Sequence, residues 1–299
     1  MHQVDCLFPS VDSWVILSSL EQSIKNKIEA VGTPLREWDI NIYRGVLTGY
    51  NDAFIIDSAK REEILLNCKT EEERLRTTEL IRPILRGRDI KRYSYDWAEL
   101  WLIATFPSKH YDIEQYPAIK EYLMSFGTEK LEQSGAKYFI NGVEVKSRKK
   151  TNNKWYETQD NIGYWDDFNK PKIMYPNMTL YLPFYYDNKG FLQNDKSFMI
   201  TGENIAFLTA FLNSSLFKFC FRDSFPELQG GTRELRKIFF ERIPVLQPTK
   251  EMEILFQKLV NDIQKSYTID KAKHIDQLIF ELYQLTPEEK ELIGYVEIK

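Results

Sequence analysis

Three short stretches have the residue types of a metal-dependent nuclease site. Glu144-Val145-Lys146, Asp89-Ile90-Lys91 and Glu288-Glu289-Lys290 each place a carboxylate two positions before a lysine. With a further carboxylate upstream, that spacing can hold a cation and activate water. None of the three lies in the apolar strand such a site needs, and so loose a triplet recurs by chance in any charged chain. Methyl transfer to an exocyclic amino group would need an Asn/Asp-Pro-Pro-Tyr loop. The chain has no Pro-Pro dipeptide, and Tyr175-Pro176-Asn177-Met178 and Leu182-Pro183-Phe184-Tyr185 do not fit. Gly45 and Gly49 precede what reads as a second strand, so they predict a hairpin-like turn and not a nucleotide-binding loop. There is no P-loop and no nucleophile elbow. Histidines 2, 110 and 274 and cysteines 6, 68 and 220 are too scattered for a zinc site, and three unpaired thiols suit a reducing cytoplasm. No catalytic centre is expected in this chain.

What remains is charge. The 299 residues carry a formal −4, from 40 basic and 44 acidic side chains. Seven lysines and ten acids fall between Lys250 and Lys299, so the final stretch holds −3 and the body only −1. Within the body lie two basic islands. RPILRGRDIKR (Arg82 to Arg92) has five cations against Asp89, and KYFINGVEVKSRKKTNNK (Lys137 to Lys154) has six against Glu144. Because screening acts over about 8 Å at physiological salt, local charge decides what such a surface attracts. A mildly acidic total therefore leaves phosphate binding open, although a charge run is more often a solvated face.

The elements that would position these islands alternate in type. Trp14 to Leu17 reads as a strand, and Ser18-Ser19-Leu20-Glu21 as a capping box opening a helix that stops at Gly32. Strands are predicted at Ile40 to Arg44, Ala53 to Asp57 and Glu99 to Thr105, with helices near 58–67 and 70–80 and from Tyr116 to Phe126. The stretch from Gly127 to Asn169 turns polar. Pro171 to Tyr186 suggests two strands around a turn, and Ser197 to Thr201 another strand. Glu203 to Phe221 is an apolar helical run with a break at Asn213-Ser214. After Ile243-Pro244-Val245 the pattern is helical, and Thr286-Pro287-Glu288-Glu289 caps the last helix. The expected class is α/β (α+β): a twisted, mostly antiparallel sheet with flanking helices over residues 1–248, then a C-terminal helical region over 249–299. No run approaches the roughly 18 apolar residues of a membrane span, so no membrane partner is expected.

From Lys27 to Asp57, KIEAVGTPLREWDINIYRGVLTGYNDAFIID resembles the start of the target-recognition domain of type IIG restriction–modification enzymes and related adenine-specific DNA methyltransferases. IRPILRGRDIKRY (Ile81 to Tyr93) is similar to a further segment of that family. Tyr116-Pro117-Ala118-Ile119, Lys154-Trp155-Tyr156-Glu157, Gly163-Tyr164-Trp165, Pro171-Lys172-Ile173-Met174-Tyr175 and Phe211-Leu212-Asn213-Ser214 follow in order. HIDQLIFELYQLTPEEKELI (His274 to Ile293) is also similar. The link Ile243 to Pro248 resembles type I specificity subunits. The resemblance implies a chain that reads DNA while a separate N-terminal region binds S-adenosylmethionine, methylates adenine and often carries a Mg-dependent nuclease. It implies double-stranded DNA as partner, a catalytic region in cis or a catalytic subunit in trans, no cofactor in this chain, and the cytoplasm as location. The rival reading is a protein-interaction module that docks a methyltransferase or nuclease subunit.

Base readout needs polar side chains at base edges, with cations on phosphates. In KSRKKTNNKWY (Lys146 to Tyr156), Arg148 is the candidate for guanine and Asn152 or Asn153 for adenine. Lys146, Lys149, Lys150 and Lys154 are candidates for phosphate. Trp155 and Tyr156 are read as core before stacking platforms. Arg86, Arg88, Lys91 and Arg92 are candidate phosphate clamps, with Asp89 pairing one arginine. Gly230, Gly231, Thr232 and Arg233 offer close backbone approach to phosphate. Thr48, Gly49 and Asn51 form the family-like loop, with DNA proximity and plain turn chemistry equally weighted.

Overall fold

The computed structural model describes residues 17–295, and the strand expected at Trp14 to Leu17 falls outside them but for its last residue. The first helix, Ser19–Val31, begins as the sequence predicts. Ser18 Oγ accepts from the Glu21 amide and the Glu21 carboxylate accepts from the Ser18 amide. Its buried residues, Ile24 and Ile28, stand one turn apart.

Two four-stranded sheets organise the chain. The first runs Tyr185–Asp187, Lys172–Pro176, Ser197–Gly202, Ile40–Arg44, antiparallel throughout. The second runs Leu192–Gln193, Ile81–Leu85, Leu100–Ile103, Ile55–Asp57, where only the first pair is parallel. Strand alternation lets the first sheet serve two cores. Ile200 belongs to a core shared with helices Ile205–Leu212 and Ser215–Phe221, while its neighbour Met199 points to a second core around Ile81, Leu102 and Ile119. Lys172 and Asp187, paired in register, form a fully buried ion pair; Lys172 Nζ also donates to the Phe168 carbonyl at 2.6 Å.

The predicted hairpin around Gly45 and Gly49 is not formed. Ile40–Arg44 pairs with Ser197–Gly202, whereas Ile55–Asp57 pairs with Leu100–Ile103 in the other sheet. Residues 45–54 carry the chain between sheets, and Asn51–Phe54 is a short helix, not the start of a strand. Both outcomes share a cause. Long-range pairing, not local turn chemistry, decides where each strand docks.

The apolar run after Glu203 is two helices broken at Asn213-Ser214, as expected, and Ser214 caps the second. The helices Lys250–Lys265, Ile269–Leu282 and Pro287–Ile293 pack back on the body. Phe256, Val260, Ile275 and Ile279 lie in the same core as Ile24, Ile173 and Phe211. Among the described residues no single helix is long and apolar enough to cross a membrane.

Candidate nucleic-acid interface

The three carboxylate-x-lysine triplets resolve into structural pairs. Glu144 meets Lys137 at 3.0 Å, and Asp89 is forked by Arg86. Buried Glu289 accepts from Lys27 Nζ and Ser23 Oγ, both at 2.6 Å, tying the last helix to the first. Among the described residues no three His, Cys, Asp or Glu side chains converge as a metal site would require.

The first basic island builds the wall of a cleft. Arg86 donates from Nε and Nη2 to Asp89 at 2.8–3.2 Å, and the Asp89 carboxylate accepts from the Arg86 amide at 2.8 Å. This pairing holds the turn Gly87–Asp89, keeps Arg86 charged, and takes its guanidinium out of the set available to phosphate. Gly87 is required by close packing: a Cβ there would stand 2.5 Å from the Lys196 carbonyl oxygen. Asn194 Oδ1 accepts from the amides of both Gly87 and Lys196 at 3.3 Å, locking the two segments together. The result is a cleft of about 500 Å³ lined by Arg88, Lys91, Arg92, Lys196 and Lys218, with Met178 and exposed Tyr181 on the same lining and no carboxylate among the lining residues. The Asn177 Oδ1 atom, also at the cleft, is buried without a hydrogen-bond partner. Arg92 is partly committed, donating to the Asn213 carbonyl at 3.1 and 2.6 Å and to Tyr267 Oη at 3.1 Å. Lys91 Nζ donates to the Arg88 carbonyl at 2.9 Å. Arg88 is exposed. Lys196 and Lys218 lie far from the island in sequence, and no local signal marks them.

The second island is divided differently. Arg148, the expected guanine reader, is only 4% exposed. Nε donates to the Leu131 carbonyl at 2.7 Å, Nη1 to Thr48 and Glu157 at 2.8 Å, and Nη2 to Trp155 at 2.6 Å. Burial draws its pKa down to about 10. Four of its five donors are therefore occupied, and it gathers backbone carbonyls that would otherwise be orphaned. Asn153 is likewise turned inward, its amide donating to the carbonyls of Thr158 and Gln159. Gln133 reaches the carbonyls of Lys154, Glu157 and Thr158. The segment Lys146 to Tyr156 is thus a hydrogen-bonded platform. From it Lys146, Lys149, Lys150, Asn152 and Lys154 face solvent, and the first three have no ion pair among the described residues. Tyr156 is core, as read, with its hydroxyl on the Tyr111 carbonyl at 2.8 Å.

Thr48 and Asn51 belong to the same platform. Thr48 Oγ1 is buried and donates to Asn51 Oδ1 at 2.6 Å, while the Thr48 carbonyl is one of the four held by Arg148. Turn chemistry accounts for Thr48, and Asn51 stays exposed. In the glycine loop, Gly230 and Gly231 both take positive φ, 80° and 79°. Thr232 Oγ1 closes back on the Gln229 carbonyl. Arg233 is buried, bonded to the Phe225 carbonyl and paired with Asp223 and Glu227 at 2.8 Å, so it braces the loop instead of extending from it.

One element was missed. Lys137–Ile140 and Val143–Lys146 form a two-stranded antiparallel ribbon that pairs with no other strand among the described residues. Its turn residues, Asn141 and Gly142, both have positive φ (50° and 79°). Asn-Gly between two strand-forming runs is a strong short-range hairpin signal, and the charge of the segment hid it.

The comparisons with known proteins agree with this architecture. The model of the TaqI-like C-terminal specificity domain matches residues 82–245, more than half of the chain. The Type II methyltransferase M.BstVI of Geobacillus stearothermophilus is 23% identical over 293 residues, covering 96% of this chain and 47% of that protein. The chain thus spans about half the length of this curated relative. The type IIG restriction endonuclease BpuSI superposes with a TM-score of 0.51 at 14% identity, over 91% of this chain and 34% of that structure. With that family model spanning the cleft and the segment Lys146 to Tyr156, the chain belongs to the TaqI-like C-terminal specificity domains.

Proposed function

We propose that this chain reads a duplex DNA sequence for a restriction–modification adenine-N6 methyltransferase, in the cytoplasm, and that it has no catalytic activity of its own. The observation that carries the reading is the cleft. A chain of net charge −4 brings five cations together on one lining, from segments more than 100 residues apart. Asp96 and Asp195 pair Lys91 and Lys196 from beside the cleft, and Arg88, Arg92 and Lys218 have no ion pair among the described residues. Phosphates along a duplex are the natural complement of such a surface. The platform Lys146 to Lys154, with Lys149, Lys150 and Asn152 outward, supplies further cations and one amide suited to adenine. Methyl transfer, S-adenosylmethionine and Mg²⁺ belong to another region, in cis or as a separate subunit. The 47% coverage of a methyltransferase relative supports that division.

The test is duplex binding by the full chain across salt. Log affinity should fall linearly with log salt, with a slope of about −0.9 for each phosphate contacted. Binding that is flat between low and moderate salt, or absent, would overturn the reading.

A further inference from the structure

We propose that the ribbon Lys137–Ile140/Val143–Lys146 enters the major groove of the bound duplex and that its apolar tip, Phe139 and Val143, reads thymine through the 5-methyl group. The inference rests on the DNA-recognition reading above. The ribbon stands on a fixed base. Tyr138 Oη donates to Glu132 at 2.5 Å, the Ser147 amide donates to the Ala136 carbonyl, and buried Arg148 follows the second strand directly. Its tip has no such support. On one face Phe139, 76% exposed, stands opposite Glu144, whose carboxylate is drawn back to Lys137. On the other Val143, 64% exposed, stands opposite Ile140, so an apolar group projects from each face at the tip. Burial of those groups contributes nothing to folding, so their apolar area is available to a ligand.

Charge selects the ligand. Cross-strand pairing sets Lys137 directly opposite Lys146, an unfavourable like-charge pair. Glu144 neutralises Lys137, which leaves Lys146 on the stem, with Lys149 and Lys150 just beyond it, unpaired among the described residues. A cationic stem below an apolar tip matches a groove with phosphate walls. The major groove, about 12 Å wide, admits a two-stranded ribbon, and thymine's methyl is the apolar group on its base edges. A protein partner would have no use for the stem's unpaired cations unless it were acidic.

The experiment selects the preferred duplex from a random library with the full chain, then replaces its thymines one at a time by uracil. That change removes the methyl and leaves the hydrogen-bonding edge intact. Wild type should lose about fourfold in affinity per contacted methyl. Phe139→Ser/Val143→Ser, both at exposed positions, should abolish that penalty while leaving affinity for unrelated duplex and its salt slope within about twofold. Phe139→Leu, which keeps an apolar tip, should preserve the penalty. A double variant that retains the wild-type preference and uracil penalty overturns the ribbon assignment alone. So does a selected site with no thymine-methyl dependence. A wild-type chain that binds no duplex overturns both readings together.

Discussion

The two basic islands look alike as strings and are used in different ways. In Arg82 to Arg92 the arginines divide by role: Arg86 locks the turn through Asp89, Arg92 reaches the Asn213 carbonyl, and Arg88 faces out over the cleft. In Lys137 to Lys154 the one arginine is sealed inside and the lysines stay outside. The difference follows from the side chains. A guanidinium has five donors in a rigid fork and can satisfy several carbonyls at once, whereas an ammonium is a strongly hydrated point charge that is costly to bury. A basic run is therefore a poor guide to base readers. Its arginines are the residues that a loop rich in orphan carbonyls recruits first.

Arg148 gives the largest way to break this comparison. Arg148→Met should leave the carbonyls of Leu131, Thr48, Glu157 and Trp155 without their donor and cost about 3–5 kcal/mol in urea unfolding. Arg148→Lys should recover less than half of that, since one ammonium cannot span four carbonyls. If Arg148→Met unfolds like wild type and loses preference at one base instead, Arg148 is a reader and the contrast collapses. Arg92 stands between the two cases. Arg92→Ala should cost about 1–2 kcal/mol of stability through the Asn213 and Tyr267 contacts and should also weaken duplex binding. An effect on only one of the two would assign it to one role.

The outward cations should show the reverse pattern. Arg88→Ala/Lys218→Ala should change stability by less than about 0.5 kcal/mol. The same pair should lower the magnitude of the salt slope by about 1.8, one phosphate each. Lys149→Ala/Lys150→Ala should weaken binding to all duplexes alike. A pair that alters preference without touching the slope would move the cleft from phosphate clamp to base reader.

Local order in this molecule was legible because it rests on local bonds. The capping boxes at Ser18 and Thr286 and the helix break at Asn213-Ser214 depend on side chains within a few residues of each other. The strands Ile40–Arg44 and Ser197–Gly202 show in their own residue pattern, although they find each other only across the chain. The cleft was half legible. Arg88, Lys91 and Arg92 announce themselves, but Lys196 joins them only because Asn194 bridges its segment to Gly87, and Lys218 only because the helix Ser215–Phe221 carries it to the same lining. The inward turn of Arg148 was hidden for the same reason, since all four of its carbonyl partners, Thr48, Leu131, Trp155 and Glu157, lie outside the island. Only the ribbon was readable and overlooked, its Asn141-Gly142 turn masked by the surrounding lysines.

The finest division falls between adjacent asparagines. Asn153 donates to the carbonyls of Thr158 and Gln159 at 3.2 and 2.9 Å, and its own amide donates to Thr151 Oγ1 at 3.0 Å. Asn152 faces solvent on the same turn. Asn153→Ala should cost about 1 kcal/mol of stability, from two lost side-chain bonds in a half-buried setting. Asn152→Ala should leave unfolding unchanged and relax preference at a single adenine, by about 1–3 kcal/mol if both bonds of a bidentate contact are lost. The decisive measurement is base preference, position by position, for both variants at equal folded fraction. Loss of the same adenine preference in both would mean that the platform as a whole, not the outward side chain, sets the contact. Loss confined to Asn152→Ala would show that an inward scaffold and an outward reader can be neighbours in the chain.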